Sequence, residues 1–178
     1  MVGNMLRDWI NHTKEGPPRT SKQLKQMNDF CLKMIHEIKN IEKRNSLNEE
    51  DLFIVSRVKY VGKLTRIHQK FKSEYPFGVL SNNHFLSWTT QEDLSQIYWI
   101  NNSKKYLFIT AEATEDNFGI SLIGLQDYLD KYHYKSYSLG SPAILKEKEV
   151  LFPLCLETIS NMEIESINER NKKAGQSN

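Results

Sequence analysis

Cysteine, excess charge and long apolar runs are all scarce in this sequence. The chain of 178 residues has two cysteines, Cys31 and Cys155, which lie 124 positions apart and therefore indicate neither a disulfide scaffold nor a zinc site. Its 24 basic and 22 acidic side chains leave a net charge of +2, which is too small to predict a nucleic-acid partner. Apolar runs reach four residues, as at 52–55, far below the roughly 20 that a membrane span needs, so no membrane partner is expected.

The sequence also has no recognisable signal peptide and no glycine-rich nucleotide-binding loop, which excludes further classes of protein. Residues 1–10 include Arg7 and Asp8 and no continuous apolar block, so we expect no signal peptide there; the protein is then cytoplasmic, or it is exported without a Sec signal. The eight glycines are scattered and form neither a GxGxxG nor a GxxxxGK[ST] loop, so a nucleotide would have to be bound by other groups. With 39% hydrophobic and 26% charged residues, the composition is that of one globular domain over residues 1–178.

In the N-terminal part of the chain, apolar residues recur with the period of an α-helix. Residues 1–19 form an N-terminal segment in which any short helix must end before Gly16, because Pro17 and Pro18 follow. Residues 20–45 are predicted to form a long amphipathic helix that begins with a capping box, Thr-x-x-Gln. Its apolar stripe, with steps of three and four, consists of Leu24, Met27, Cys31, Met34, Ile35, Ile38 and Ile41. Cys31 lies within the stripe, so we interpret it as a small core side chain.

The rest of the chain has the short apolar, β-branched and aromatic segments that are typical of strands. Strands are predicted at 52–58, 84–90, 106–110, 119–123, 149–152 and 154–159, with a helical turn at 90–97. They define a β-rich core over residues 52–167, followed by a polar, frayed tail at 168–178. Helices first and strands afterwards indicate an α+β fold rather than alternating βαβ units.

Two of these segments carry polar residues suited to a site. Arg57 follows an apolar strand, where a guanidinium either emerges at the strand end or faces an anion in a cleft. In the strand at 84–90, side-chain alternation puts Phe85, Ser87 and Thr89 on one face and the large apolar side chains on the other. Taken separately, each feature is more common as ordinary structure than as a functional site.

Two glutamates form a third segment. Glu147 and Glu149 are two positions apart in a stretch predicted as strand, so their carboxylates are expected on one face. Like charges at that spacing repel and bring no structural gain, although a solvated edge strand tolerates them. Such a pair also suits glycosyl transfer, in which one carboxylate stabilises an oxocarbenium-like centre and the other takes the proton of the acceptor.

The order of the three segments is more specific than any one of them. An arginine, then aromatic-x-Ser-x-Thr at 85–89, then Glu-x-Glu-Val-Leu-Phe-Pro at 147–153 resembles the Arg-Ser-Glu class of mono-ADP-ribosyltransferases. That class includes vertebrate ecto-enzymes and the catalytic domains of cholera-like and binary toxins. The resemblance covers residues 21–167 and is sharpest at 147–153; residues 119–122 resemble the family's strand between the serine and the glutamates. It implies an N-terminal helical region followed by a mainly antiparallel core of two sheets.

The resemblance also implies which residues bind NAD. Arg57 matches the family arginine, which contacts a phosphate or ribose of NAD; a guanidinium suits phosphate because its fork bonds two oxygens. Ser87 matches the serine that positions the catalytic glutamate. Phe85 and Thr89 share its strand face and are therefore expected to line the NAD site as well.

The glutamates take the catalytic roles in this interpretation. Glu149 matches the family glutamate that holds the nicotinamide ribose 2′-hydroxyl and stabilises the cation as the glycosidic bond breaks. Glu147 matches the acid that orients and deprotonates the acceptor, and glutamate at that position is associated with arginine acceptors. The implied partners are NAD, as a substrate, and a target protein modified on arginine. No metal is expected, because the leaving group is already a cationic pyridinium.

The sequence departs from the family pattern in two places. The serine motif of the family usually reads aromatic-x-Ser-Thr-Ser, whereas positions 87–89 read Ser-Trp-Thr; alternation directs Trp88 to the core and keeps the last hydroxyl on the site face. The arginine motif is commonly Tyr-Arg-Gly, whereas positions 56–58 read Ser-Arg-Val. Arg66 is a second candidate for the family arginine. Arg57 is preferred because it ends the segment that is more clearly predicted as a strand.

Three hypotheses follow. The first is a mono-ADP-ribosyltransferase, acting as a toxin or effector, that modifies arginine and releases nicotinamide. The second is an NAD glycohydrolase on the same scaffold, which needs Glu149 but not Glu147. The third is a non-catalytic α+β interaction or immunity-type protein, in which the two glutamates are surface charges and Arg57 is a salt-bridge partner. Convergence of Arg57, Ser87 and Glu149 on one cleft would favour the enzymes over the third hypothesis.

Overall fold

The long amphipathic helix is confirmed. The computed structural model describes residues 5, 7, 9, 19–68, 85–97, 99–133 and 147–176, and helix α1 spans Ser21–Glu42. The Thr20 hydroxyl accepts the backbone N–H of Gln23, and the Gln23 side chain accepts the N–H of Thr20, which is the predicted capping box. Met27 and Cys31 of the apolar stripe are fully buried, and burial raises the pKa of the Cys31 thiol to about 12. Cys31 is therefore a core side chain, as predicted.

The strands form one antiparallel sheet that curls into a half-barrel. They are β1 (Lys59–Tyr60), β2 (Gly62–His68), β3 (Phe85–Thr89), β4 (Tyr106–Ala113), β5 (Gly119–Ser121), β6 (Glu149–Pro153) and β7 (Ile159–Glu165). Their order across the sheet is β1-β5-β6-β3-β2-β4-β7, and each neighbouring pair is antiparallel. The α+β class is confirmed, and the expectation of two sheets is wrong, because the pair Thr65–Thr89 joins β2 to β3.

Helices and short helical turns connect and flank the strands. The remaining elements are α2 (Glu49–Phe53), a π-helical turn (Ile54–Val58), a 3₁₀ turn (Leu94–Gln96), α3 (Leu122–Tyr132), a second 3₁₀ turn (Leu156–Thr158) and α4 (Ile167–Gln176). The first 3₁₀ turn lies inside the helical turn predicted at 90–97. No helix in the described part of the chain is both long and apolar enough to cross a bilayer.

The apolar core occupies both faces of the sheet. Helices α1 and α3 and the π-helical turn pack with Phe85, Ile120 and Leu151 on one face. Trp88 packs with Leu64 on the other face, where its indole N–H donates to the Phe152 carbonyl oxygen at 3.0 Å. Phe85 and Trp88 therefore belong to different clusters, which confirms the alternation predicted for this strand.

The strand predicted at 52–58 is wrong, because this stretch forms α2 and the π-helical turn. The side chain of Asn48 accepts the N–H of Asp51 at 2.8 Å, and acidic residues fill the first turn, both of which favour a helix start. Tertiary contact holds the turn in place: a Cβ on Gly124 of α3 would lie 1.8 Å from the Arg57 carbonyl oxygen. Only glycine permits so close an approach.

Capping side chains explain two of three other differences. Strand β5 ends at Ser121, whose hydroxyl accepts the Gly124 N–H at 3.1 Å and starts α3 inside the predicted strand 119–123. The tail predicted at 168–178 is largely helix α4, begun by reciprocal bonds between Ser166 and Glu169. The strand predicted at 154–159 is a 3₁₀ turn that leads into β7.

Candidate functional site

Two of the three predicted polar segments, those at 85–89 and 147–149, lie next to the point where β2 and β3 separate. Among the described residues, the ladder between these strands consists of the single pair Thr65–Thr89. Beyond that pair, the Nη1 of Arg66 donates a hydrogen bond of 2.8 Å to the backbone carbonyl of Ser87. In a continued ladder such a carbonyl accepts a backbone amide from the next strand. The Arg66 side chain therefore bridges the point at which strand pairing stops.

The guanidinium of Arg66 is enclosed. Its Nε is buried and forms no hydrogen bond within the described part of the chain. Burial, and to a smaller extent the nearby charge of Arg19, lower the pKa of Arg66 to about 10, while Glu149 opposes the shift. The group stays cationic at neutral pH. A buried cation with an unused N–H is suited to receive an anionic ligand.

Glu149 begins β6 directly opposite Thr89. Glu149 is buried, with 9% of its surface exposed. Ser87 pairs with Leu151, so it is the diagonal neighbour of Glu149 on the same strand face. Arg66, Ser87 and Glu149 are thus brought together although 83 positions separate the first from the last (149 − 66).

Glu147 is not on the strand with Glu149. It lies in a turn, and β6 begins only at Glu149. Between them Lys148 has a φ of 47°, the left-handed region that costs an L-residue roughly 1–2 kcal/mol. The expectation that both carboxylates share one strand face is therefore wrong, because alternation does not apply across a left-handed residue. Strain of this kind is common at functional sites.

Hydrogen bonds from β3 fix this turn. The Thr89 hydroxyl donates to the Glu147 carbonyl oxygen in a short hydrogen bond and accepts the N–H of Gln91 at 3.0 Å. The backbone N–H of Thr90 donates to the Lys148 carbonyl oxygen at 3.2 Å. Thr89, predicted to line the NAD site, here uses its hydroxyl to hold the backbone that presents both glutamates.

Each glutamate accepts a hydrogen bond from an indole. The Nε1 of Trp9 donates to Oε1 of Glu149 at 3.1 Å, and the Nε1 of Trp99 donates to Oε1 of Glu147 at 3.1 Å. Trp9 is buried, with 4% of its surface exposed, whereas Trp99 is half-buried. The sequence analysis missed both tryptophans, because the first contact spans 140 positions and nothing local marks it.

Arg19 completes the surroundings of Glu149. Its guanidinium carbon lies 3.7 Å above the Trp9 ring centre, and its Nη2 donates to the Trp9 carbonyl oxygen at 3.0 Å. Burial lowers the pKa of Arg19, and the charge of Glu149 opposes that shift. Two guanidinium groups and one carboxylate therefore interact within one partly enclosed region.

Two predicted site residues are not part of this group of polar side chains. Arg57 belongs to the π-helical turn rather than to a strand end, and it is an exposed residue. Phe85 is buried in the core beside α1, with 5% of its surface exposed, and its N–H donates to Oδ1 of Asn28. Arg57 therefore does not converge with Ser87 and Glu149, and of the two candidate arginines it is Arg66 that contacts the serine strand.

The site is a cluster of charged side chains without an evident metal set. No group of three or more His, Cys, Asp and Glu that could hold a metal ion occurs among the residues the structure describes. Comparisons of the chain with protein-family models, with curated proteins and with solved structures gave no match.

Proposed function

We propose that this protein is an NAD-dependent mono-ADP-ribosyltransferase that modifies an arginine side chain of a target protein. The observation that carries the proposal is the convergence of Arg66, Ser87 and Glu149 where β2 and β3 separate. These are the three residue types of the Arg-Ser-Glu class, in the same chain order. Arg66 replaces Arg57 in this proposal, because Arg57 is exposed on a helical turn.

Arg66 supplies the electrostatic contact with the dinucleotide. Its unused Nε–H and its positive charge fit a phosphate oxygen, which would satisfy a buried donor that otherwise costs about 1–3 kcal/mol. Its bond to the Ser87 carbonyl fixes the guanidinium before any ligand arrives. A preorganised cation loses less side-chain entropy on binding than a free one.

Glu149 supplies the negative charge at the reacting sugar. In a dissociative cleavage, nicotinamide leaves with the electron pair of the glycosidic bond, and positive charge develops on the ribose. A carboxylate that is already fixed on a strand and removed from bulk water stabilises this charge more than solvent does. This is the role we assign to Glu149.

Glu147 serves the acceptor. A guanidinium is almost always protonated and must lose a proton to attack the ribose carbon. Glu147 lies two residues before β6 starts, on a turn that Thr89 holds, and it can take this proton while Glu149 faces the sugar. The strained Lys148 separates the two carboxylates and allows them different directions.

The direct test is label transfer from NAD that carries ³²P in its adenylate phosphate, incubated with the chain and cell lysates. The wild-type chain should label protein, and Glu149→Gln should reduce labelling by about 100-fold or more. Glu157→Gln is the matched control, because Glu157 is exposed and lies outside the site. Labelling that persists in Glu149→Gln would contradict the proposal.

The variant Glu147→Gln separates transfer from hydrolysis. If the roles are as proposed, it loses transfer to protein and retains release of nicotinamide with water as the acceptor. Nicotinamide release by the wild-type chain without protein labelling would instead indicate an NAD glycohydrolase. If NAD is neither bound nor cleaved, the interaction-protein hypothesis replaces both enzymes.

A further inference from the structure

The side chain of Trp9 lies against the carboxylate to which we assign catalysis. Its indole N–H donates to Oε1 of Glu149 at 3.1 Å, and the ring is 4% exposed. The ring belongs to the apolar cluster that also contains Phe85 and Leu151, the strand neighbours of the site. The carboxylate of Glu149 therefore faces a tightly packed indole.

Arg19 holds the indole in place from the other side. Its guanidinium stacks at 3.7 Å over the ring, and it donates to the backbone carbonyl of Trp9 at 3.0 Å. Arg19 immediately precedes the N-cap of α1, so this contact anchors Trp9 to the long helix. The stack and the two hydrogen bonds fix both the ring and its backbone.

A sugar hydroxyl that bonds to Oε1 of Glu149 must come to the place where the indole N–H of Trp9 already donates. The carboxylate has further lone pairs, but the buried ring fills the space next to Oε1 that the sugar would enter, and the N–H takes one of the acceptor positions there. We infer that Trp9 is an autoinhibitory cover: it occupies the Glu149 carboxylate in the resting protein and must swing away before the dinucleotide sugar binds. This inference rests on the proposed function, since it names the regulation of the same site.

A cover of this kind lowers the apparent affinity for ligand. If the open form is a minor species, the measured dissociation constant exceeds the intrinsic one by the inverse of the open fraction. A variant that opens the site should therefore bind NAD more tightly than the wild-type chain. A residue that merely lines a binding site gives the opposite result, because its removal weakens binding.

The test is isothermal titration calorimetry, in which NAD is titrated into the wild-type chain of residues 1–178 and into two Trp9 variants. Trp9→Phe removes the N–H donor and keeps a ring, and it should tighten binding about 3- to 10-fold; Trp9→Ala also removes the ring and should tighten it about 10- to 100-fold. Trp99→Phe removes the corresponding indole bond from Glu147 and should give no tightening. Urea unfolding of each variant establishes that it is folded, and Trp9→Phe remains informative if Trp9→Ala is not.

A second readout follows the indole itself. In the wild-type chain, NAD should increase the quenching of tryptophan fluorescence by acrylamide, and this increase should disappear in Trp9→Phe. Equal or weaker NAD binding by folded Trp9→Phe, with no change in quenching, would overturn the cover and leave the proposed function intact. If no chain binds NAD, the proposed function fails and the cover fails with it.

Discussion

The two flanks of β2 are paired very differently. On one side, all residues from Gly62 to His68 pair with β4 in an unbroken register. On the other side, among the described residues, only Thr65 pairs with β3, and beyond it the Arg66 side chain takes over the Ser87 carbonyl. The continuous flank has no backbone group available for a ligand. On the interrupted flank a backbone carbonyl is hydrogen-bonded by a side chain instead of by the neighbouring strand, and the candidate site lies there.

Strand β2 therefore contributes to the apolar core and to the candidate site through different residues. Leu64 contributes to the apolar core together with residues of β4, whereas the Arg66 side chain donates to the backbone of the serine strand. Stability should therefore depend mainly on the continuous flank, and ligand binding on the interrupted one.

Leu64→Ala should have the largest effect on folding. Leu64 is fully buried and pairs with Ala111 on the continuous flank, so truncation leaves a cavity and lowers the free energy of unfolding by about 2–5 kcal/mol. Urea denaturation monitored by circular dichroism measures the loss. Val61→Ala is the control, because Val61 is 42% exposed and its truncation should cost less than about 0.5 kcal/mol. Equal losses in the two variants would contradict a core on this flank.

Thr89→Val should affect the interrupted flank. The change keeps the side-chain shape but removes the donor to the Glu147 carbonyl and the acceptor of the Gln91 N–H. We expect the free energy of unfolding to fall by about 1–2 kcal/mol and the rate of NAD cleavage to fall more than NAD affinity. Thr65→Val tests the other member of the pair and should have the smaller effect on the rate. A lower affinity at an unchanged rate would show that Thr89 acts on NAD directly instead of on the turn.

Lys148→Gly should have the smallest effect, and in the opposite direction. Glycine adopts a φ of 47° without the steric cost that Lys148 bears, whereas alanine bears a similar cost. The glycine variant should be about 1 kcal/mol more stable to urea than Lys148→Ala. Equal stability of the two variants would mean that the left-handed conformation is absent in solution.

Local features were predictable from the sequence. The cap at Thr20 and the apolar period identify α1, and alternation correctly assigns Phe85 and Trp88 to opposite faces. A second capping box, Ser166-x-x-Glu169, was present in the sequence and would have identified α4. Each of these signals lies within a few residues of the structure it encodes.

Non-local features were not predictable. The β-branched run at 52–58 has strand propensity, but the cap at Asn48 and the contact with Gly124 make it helical. That error moved the expected arginine to position 57, and it concealed the strand that carries Arg66. The contact between Trp9 and Glu149 joins residues that are 140 positions apart, and no local pattern encodes it.

NAD affinity decides whether Arg66, and not Arg57, belongs to the site with Ser87 and Glu149. Arg66→Gln and Arg57→Gln remove the same charge from two positions, and isothermal titration compares them with the wild-type chain. We predict that Arg66→Gln, still folded, weakens NAD binding about 10-fold or more, while Arg57→Gln changes it less than about twofold. Loss of NAD binding in Arg57→Gln, with full affinity in Arg66→Gln, would contradict the account.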